Sequence, residues 1–149
     1  MPSTDSVSHF RTVLVPVDGS HASLQAVLLA CDMARRTKGK VYVVHVIEVK
    51  RTLPLDAAME PEEVAGDEVL AGVEEVARKQ GFTVDGEILH AREAGPAIVD
   101  EAIERQADLI IMGMEYQQPF GDFQIGRVVP YVLKSAPCEV WVCRHPAQE

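Results

Sequence analysis

Thr12 to Val17 (Thr-Val-Leu-Val-Pro-Val) is a continuous apolar, largely β-branched run with no polar alternation. A strand with one wet face alternates, so this run predicts a strand covered on both faces, as in a parallel sheet. Parallel neighbours cannot be joined by a tight hairpin and need long crossovers, usually helices. One short stretch therefore commits the chain to strands alternating with helices. Pro16 has no amide to give a ladder and marks the strand's end.

The following sequence supplies that alternation. Asp18-Gly19-Ser20 makes a turn with Ser20 as helix N-cap, and Leu24, Val27, Leu28, Cys31 and Ala34 share one face of a helix that Gly39 stops. Lys40 to Ile47 predicts the second strand, and the aperiodic stretch from Glu48 to Met59, with Pro54, a surface loop. A helix from Pro61 to Gln80-Gly81 turns Val69, Val73, Val76 and Ala77 inward, with Glu62, Glu63, Glu68, Glu74 and Glu75 on a solvated face. Phe82 to His90 is a third strand interrupted by Asp85 and Gly86, and Gly95-Pro96 opens a helix with Ile98, Ala102 and Ile103 inward. Ala107 to Met112 is the clearest strand. A helix from Gly126 to Ser135 carries Pro130 near its first turn, where amides have no partner within the helix. Cys138 to Cys143 is the fifth strand.

Five strands joined by four helical crossovers predict a doubly wound α/β fold, a five-stranded parallel sheet with helices on both faces. Residues 11–144 form one domain between an N-terminal tail (1–10) and a C-terminal tail (145–149), as suits a chain of 149 residues. A net charge of −9 argues against non-specific nucleic-acid binding, which needs basic patches. No apolar run approaches the roughly 18 residues that span a membrane. The polar N-terminus from Met1 to His9 has no secretory apolar core, so a cytoplasmic location is expected. Cys31, Cys138 and Cys143 form no CxxC pair and read as structural thiols in a reducing compartment.

Catalytic groups are not evident. Ser20 and His21 are adjacent and splay apart, and there is no GxSxG, HExxH or Walker A motif. The five histidines lack metal-ligand spacing, and His45, inside an apolar strand, reads as a core or rim residue. The expectation is no enzyme and no metal.

In such a fold, ligands bind beyond the carboxyl ends of the strands where strand order reverses. Three segments converge there: Pro16 to Ser20, His45 to Ile47, and Gly113 to Val128. Asp18 can accept from ribose hydroxyls, and the amides of Gly113, Gly126 and Arg127 can meet phosphate with the helix dipole behind them. Spacing alone leaves open whether Asp18 and Ser20 do more than cap a turn.

Val13 to Ser20 (Val-Leu-Val-Pro-Val-Asp-Gly-Ser), His45-Val46-Ile47, Ala107 to Gly113 and Val132 to Val142 (Val-Leu-Lys-Ser-Ala-Pro-Cys-Glu-Val-Trp-Val) occur in the order seen in universal stress proteins. From about Phe10 to Cys143 the chain resembles that family. The resemblance implies sheet order 3-2-1-4-5 in an adenine-nucleotide alpha-hydrolase-like fold. It also implies a cytoplasmic stress-response regulator, paired as a homodimer through the last strand, with Val140, Trp141 and Val142 at the contact, and acting through protein partners.

Many members of that family bind ATP through Gly-x2-Gly-x9-Gly-Ser/Thr. This chain keeps the frame without insertion or deletion, but has Tyr116 at the second position and Arg127 at the last. A tyrosine brings a Cβ and a ring where glycine lets backbone approach phosphate, and Glu115 adds negative charge. Arg127 cuts the other way, since a guanidinium pairs with phosphate. The resemblance thus implies a regulator without ordinary ATP binding. The alternative is an adenine-nucleotide sensor (ATP with Mg, AMP or a cyclic nucleotide) that holds phosphate through Arg127. Its site residues would be Pro16, Val17, Asp18, Ser20, Val46, Met112, Gly113, Gly126, Arg127 and Val128, with Val17-Asp18 at the ribose and the Val46 backbone at the adenine edge.

Overall fold

The computed structural model describes residues 10–115 and 127–146. Elements follow in the order β1 (Thr12–Pro16), α1 (His21–Thr37), β2 (Lys40–Glu48), α2 (Glu60–Lys79), β3 (Asp85–Ala91), α3 (Ala94–Arg105), β4 (Leu109–Glu115), α4 (Val128–Ser135) and β5 (Glu139–His145). All pairings are parallel and the sheet order is β3-β2-β1-β4-β5. The doubly wound α/β class and the 3-2-1-4-5 order are therefore as expected.

Alternation along the central strands fills two cores. Val13 and Val15 pack with Val41, Val43, Leu109 and Ile111 against α1 and α2, while Leu14, Val44, Ile110 and Met112 face α3 and α4. β1 is unpolar on both sides because both sides are covered. Its start is stapled by Asp108, whose Oδ2 accepts the amides of Arg11 and Thr12 at 3.0 and 2.9 Å.

Several expectations need correction. On α1 the buried face is carried by Ala22, Ala26, Val27, Ala30, Cys31 and Ala34, with Leu24 and Leu28 only half-buried. Small residues let this helix lie close to the sheet, so the large ones are turned to its flanks. The helix is stopped by Lys38 in the left-handed conformation (φ 57°) rather than by Gly39. On α2, Gly66 and Leu70 are buried with Val73 and Ala77, whereas Val69 and Val76 are half-buried. Ile103 is exposed at 57%. It neighbours the inward Ala102 on the helix and so sits about 100° further round it.

β3 begins at Asp85 and includes Gly86, since an edge strand tolerates polar residues and glycine. Phe10 is no tail residue: it is buried and packs edge-on to Trp141, ring centroids 5.5 Å apart. β5 runs to His145, past the expected boundary of the C-terminal tail.

Candidate functional site

β1 leads into α1 on one face of the sheet, and β4 leads towards α4 on the other. Strand order reverses between these neighbours, so their carboxyl ends part and leave a crevice. A cavity of about 410 Å³ occupies it. On its wall lie Pro16, Val17, Asp18, Ser20, Val46, Met112, Gly113, Arg127 and Val128. Gly126, the remaining candidate, lies outside the described residues, as does Tyr116.

Asp18 is held in the hydrogen-bonded turn that starts α1. Its Oδ1 accepts the Ser20 amide at 2.9 Å, and the Ser20 hydroxyl accepts the Ser23 amide at 3.1 Å as the N-cap of α1. Ser23 Oγ in turn donates to the Ser20 carbonyl at 2.9 Å. Burial pushes the Asp18 carboxyl up, but hydrogen bonds from Ser20 and Ser23 outweigh it and hold the group below the ordinary aspartate value. A fixed, ionised carboxylate on the crevice wall suits a pair of hydroxyl donors. Gly19 holds the turn at φ 87°, a conformation glycine adopts without strain.

Gly113 is glycine for a reason sequence spacing does not reveal. A Cβ there would collide with the carbonyl of Ala22 and lie 2.9 Å from the Ser23 amide nitrogen. The residue lets β4 pass close under the first turn of α1. Beyond it, Glu115 also reaches the wall. Opposite stands the N-terminus of α4, whose N-cap, Arg127, makes no side-chain cap bond. Pro130 sits in the first turn, so the exposed Arg127 head and the amides of Val128 and Val129 are what this end offers an anion.

The wall also holds residues that were not named as contacts. His45 and Met114 come from segments expected there, whereas Val44 of β2 and Ala94 and Ile98 of α3 lie outside those segments. Met114 was readable two residues beyond Met112 on the same strand face. The α3 contribution was not, because it depends on how that helix packs across the sheet end. Glu48 Oε2 accepts the Ala94 amide at 2.9 Å, and Arg92 Nη1 donates to the carbonyls of Lys50 and Leu53 at 2.6 and 2.7 Å. These bonds tie the connection after β2 to the start of α3.

The proposed pairing residues are divided between the layers. Val140 and Val142 pack toward the α3–α4 core and Trp141 toward the α1–α2 core, all three half-buried, and β5 is an edge strand of the sheet. Among the described residues, no group of three or more His, Cys, Asp or Glu could hold a metal ion. No helix among them is long and apolar enough to cross a membrane.

A family model described as "Universal stress protein family" matches residues 9–144. A universal stress protein of Methanocaldococcus jannaschii is 30% identical over 146 residues, covering 94% of this chain and 85% of the relative. A universal stress protein structure from Archaeoglobus fulgidus superposes with a TM-score of 0.72 at 25% identity, covering 90% of this chain and 98% of that one. The same organism's universal stress protein in complex with dAMP gives 0.69 at 23% identity, covering 91% and 98%.

Proposed function

The chain belongs to the universal stress protein family, and from that premise we propose that it is a non-catalytic regulator whose crevice takes an adenine nucleotide bearing one phosphate, AMP or a cyclic relative. The observation that carries this reading is the wall of the crevice. Apolar side chains (Val44, Val46, Ile98, Met112, Val129) line it together with a fixed carboxylate, Asp18, and with Arg127 at the α4 N-terminus. Base, ribose and phosphate each have matching chemistry on this wall: apolar side chains, a carboxylate, and a guanidinium beside a helix N-terminus. A volume of about 410 Å³ lies low in the roughly 300–1,000 Å³ range of small-molecule pockets, which favours a compact ligand. The dAMP complex of the Archaeoglobus fulgidus structure supports a monophosphate at family level.

A longer phosphate chain is disfavoured by charge and bulk. Glu115 stands on the wall, so added phosphates meet repulsion, and the sequence has Tyr116 where the family's ATP-binding loop has a glycine that lets backbone approach phosphate. Under this reading Mg enters only as the counter-ion of a polyphosphate and has no place in binding the monophosphate. We further propose that the protein works in the cytoplasm as a homodimer paired through β5. That strand lies at the sheet edge, where unpaired backbone groups are a template for another chain.

The test is calorimetric. AMP is expected to bind the purified protein, with Mg-ATP at least about tenfold weaker, a difference of 1.4 kcal/mol. Mg-ATP binding as tightly as AMP would falsify the preference, and no binding of any adenine nucleotide would remove the ligand.

A further inference from the structure

We infer that His45 is the positioning residue that ends the β1–β2 ladder early and so keeps the Val46 amide open toward the crevice. This deepens the nucleotide reading above and rests on it.

The paired residues of β1 and β2 run from Thr12 with Lys40 to Pro16 with Val44, and the last bond of the ladder is the Val17 amide on the Val44 carbonyl at 2.8 Å. A parallel ladder alternates, so its next rung would be the Val46 amide on the Val17 carbonyl. That carbonyl is engaged instead by His45 Nδ1 at 2.9 Å. A carbonyl oxygen only accepts, so Nδ1 carries the proton and the ring is the donor. The imidazole takes the place of the missing rung. Val46 lies on the cavity wall beyond the last paired residue of β1, and its amide, on the same side of the strand as the Val44 carbonyl, faces the line of β1 where that pairing has ended.

The same bond fixes the residue before Asp18. The Val17 peptide is held to β2 at both ends, by its amide to Val44 and by its carbonyl to His45. The direction in which Asp18 leaves β1 is therefore set from β2. The ring is itself braced: a Cβ at Gly66 of α2 would lie 2.9 Å from His45 Cδ2, so only glycine lets the helix close over it. His45 thus links both polar contacts proposed for the nucleoside, Val46 at the base and Asp18 at the ribose. It touches neither by its own chemistry and acts through their backbone.

The experiment compares wild type, His45→Asn and His45→Leu, by AMP calorimetry and by amide hydrogen exchange at Val46 without ligand. Asparagine places an N–H near the position of Nδ1, whereas leucine places none. His45→Leu is expected to bind AMP about tenfold more weakly and to protect the Val46 amide as the rung closes, with His45→Asn close to wild type in both. Thermal unfolding of all three separates this pattern from a general loss of stability. AMP affinity unchanged in His45→Leu would overturn the inference. If wild type binds no adenine nucleotide, the ligand reading falls, and the exchange data still decide. Val46 protected in His45→Leu alone supports the inference, and Val46 equally protected in wild type overturns it.

Discussion

Gly113 of β4 passes so close beneath Ala22 of α1 that a single added methyl would collide with the Ala22 carbonyl. The glycine is needed to close the fold, whatever the crevice holds. Gly113→Ala is therefore expected to destabilise the protein by about 1–3 kcal/mol, the usual scale of overpacking. Urea unfolding of the ligand-free protein measures it. A variant as stable as wild type would mean that α1 shifts freely.

Asp18 sets an acid limit. Its carboxyl titrates below the ordinary aspartate value of 3.8 because hydrogen bonds to the ionised form outweigh burial. A depressed folded value means that the stability it contributes is fully present above the unfolded value and is lost as pH falls through the lower folded one. The stability gap between wild type and Asp18→Asn should be constant above about pH 5 and shrink below about pH 4. A gap that widens on acidification would reverse the assignment.

The loop substitutions are separable from the rest of the site. Tyr116→Gly combined with Arg127→Ser restores the residue types of the family's ATP-binding frame. ATP affinity is expected to rise by about tenfold or more in the double variant, while AMP weakens through loss of the guanidinium. Calorimetry with both ligands reads the exchange of preference. If ATP remains weak, the obstruction lies elsewhere on the wall, with Glu115 the next residue to change.

Gly66 allows the His45 brace to be perturbed without altering a residue of the crevice wall. Gly66→Ala should displace the imidazole through its Cδ2 contact and lower AMP affinity by about threefold or more. In the His45→Asn background the smaller side chain should leave room, and the effect of the alanine should vanish. An equal loss in both backgrounds would point to α2 alone.

Cys31 should be inert. Burial, partly opposed by Arg35 and reinforced by Asp32, pushes its thiol up to about 11, so at pH 8 only about one part in a thousand is thiolate. Labelling with a disulfide reagent should proceed at the rate of unfolding. Rapid stoichiometric reaction in the native protein would show an open path to α1's inner face.

How far the sequence speaks can be followed residue by residue. The unalternating run at Thr12 to Val17 predicted a two-sided sheet because burial on both faces leaves a direct mark on composition. The crevice segments were legible for a related reason: Pro16, Gly113 and the start of α4 are where regular structure must stop. On α1 and α2 the sequence named Val27, Cys31, Ala34, Val73 and Ala77 correctly, but large apolar residues drew Leu24, Leu28, Val69 and Val76 into the same face, where they are only half-buried. Close approach to the sheet favours Ala22, Ala26 and Gly66 instead. His45 looked like a core or rim residue because nothing local tells that its ring completes a backbone ladder twenty-eight positions away. Asp108 was visible as a letter but not as the staple of β1, since its partners at Arg11 and Thr12 are almost a hundred residues distant.

The crevice wall draws on residues 16–23, 44–46, 94–98, 112–115 and 127–129. Those segments meet only when both halves of the sheet are in place, so a ligand that fills the crevice recognises the assembled chain and not its parts. By mass action such a ligand raises the free energy of global opening in proportion to the logarithm of its concentration once that exceeds Kd. A metabolite level would then be written into the molecule's survival time, without any change of shape.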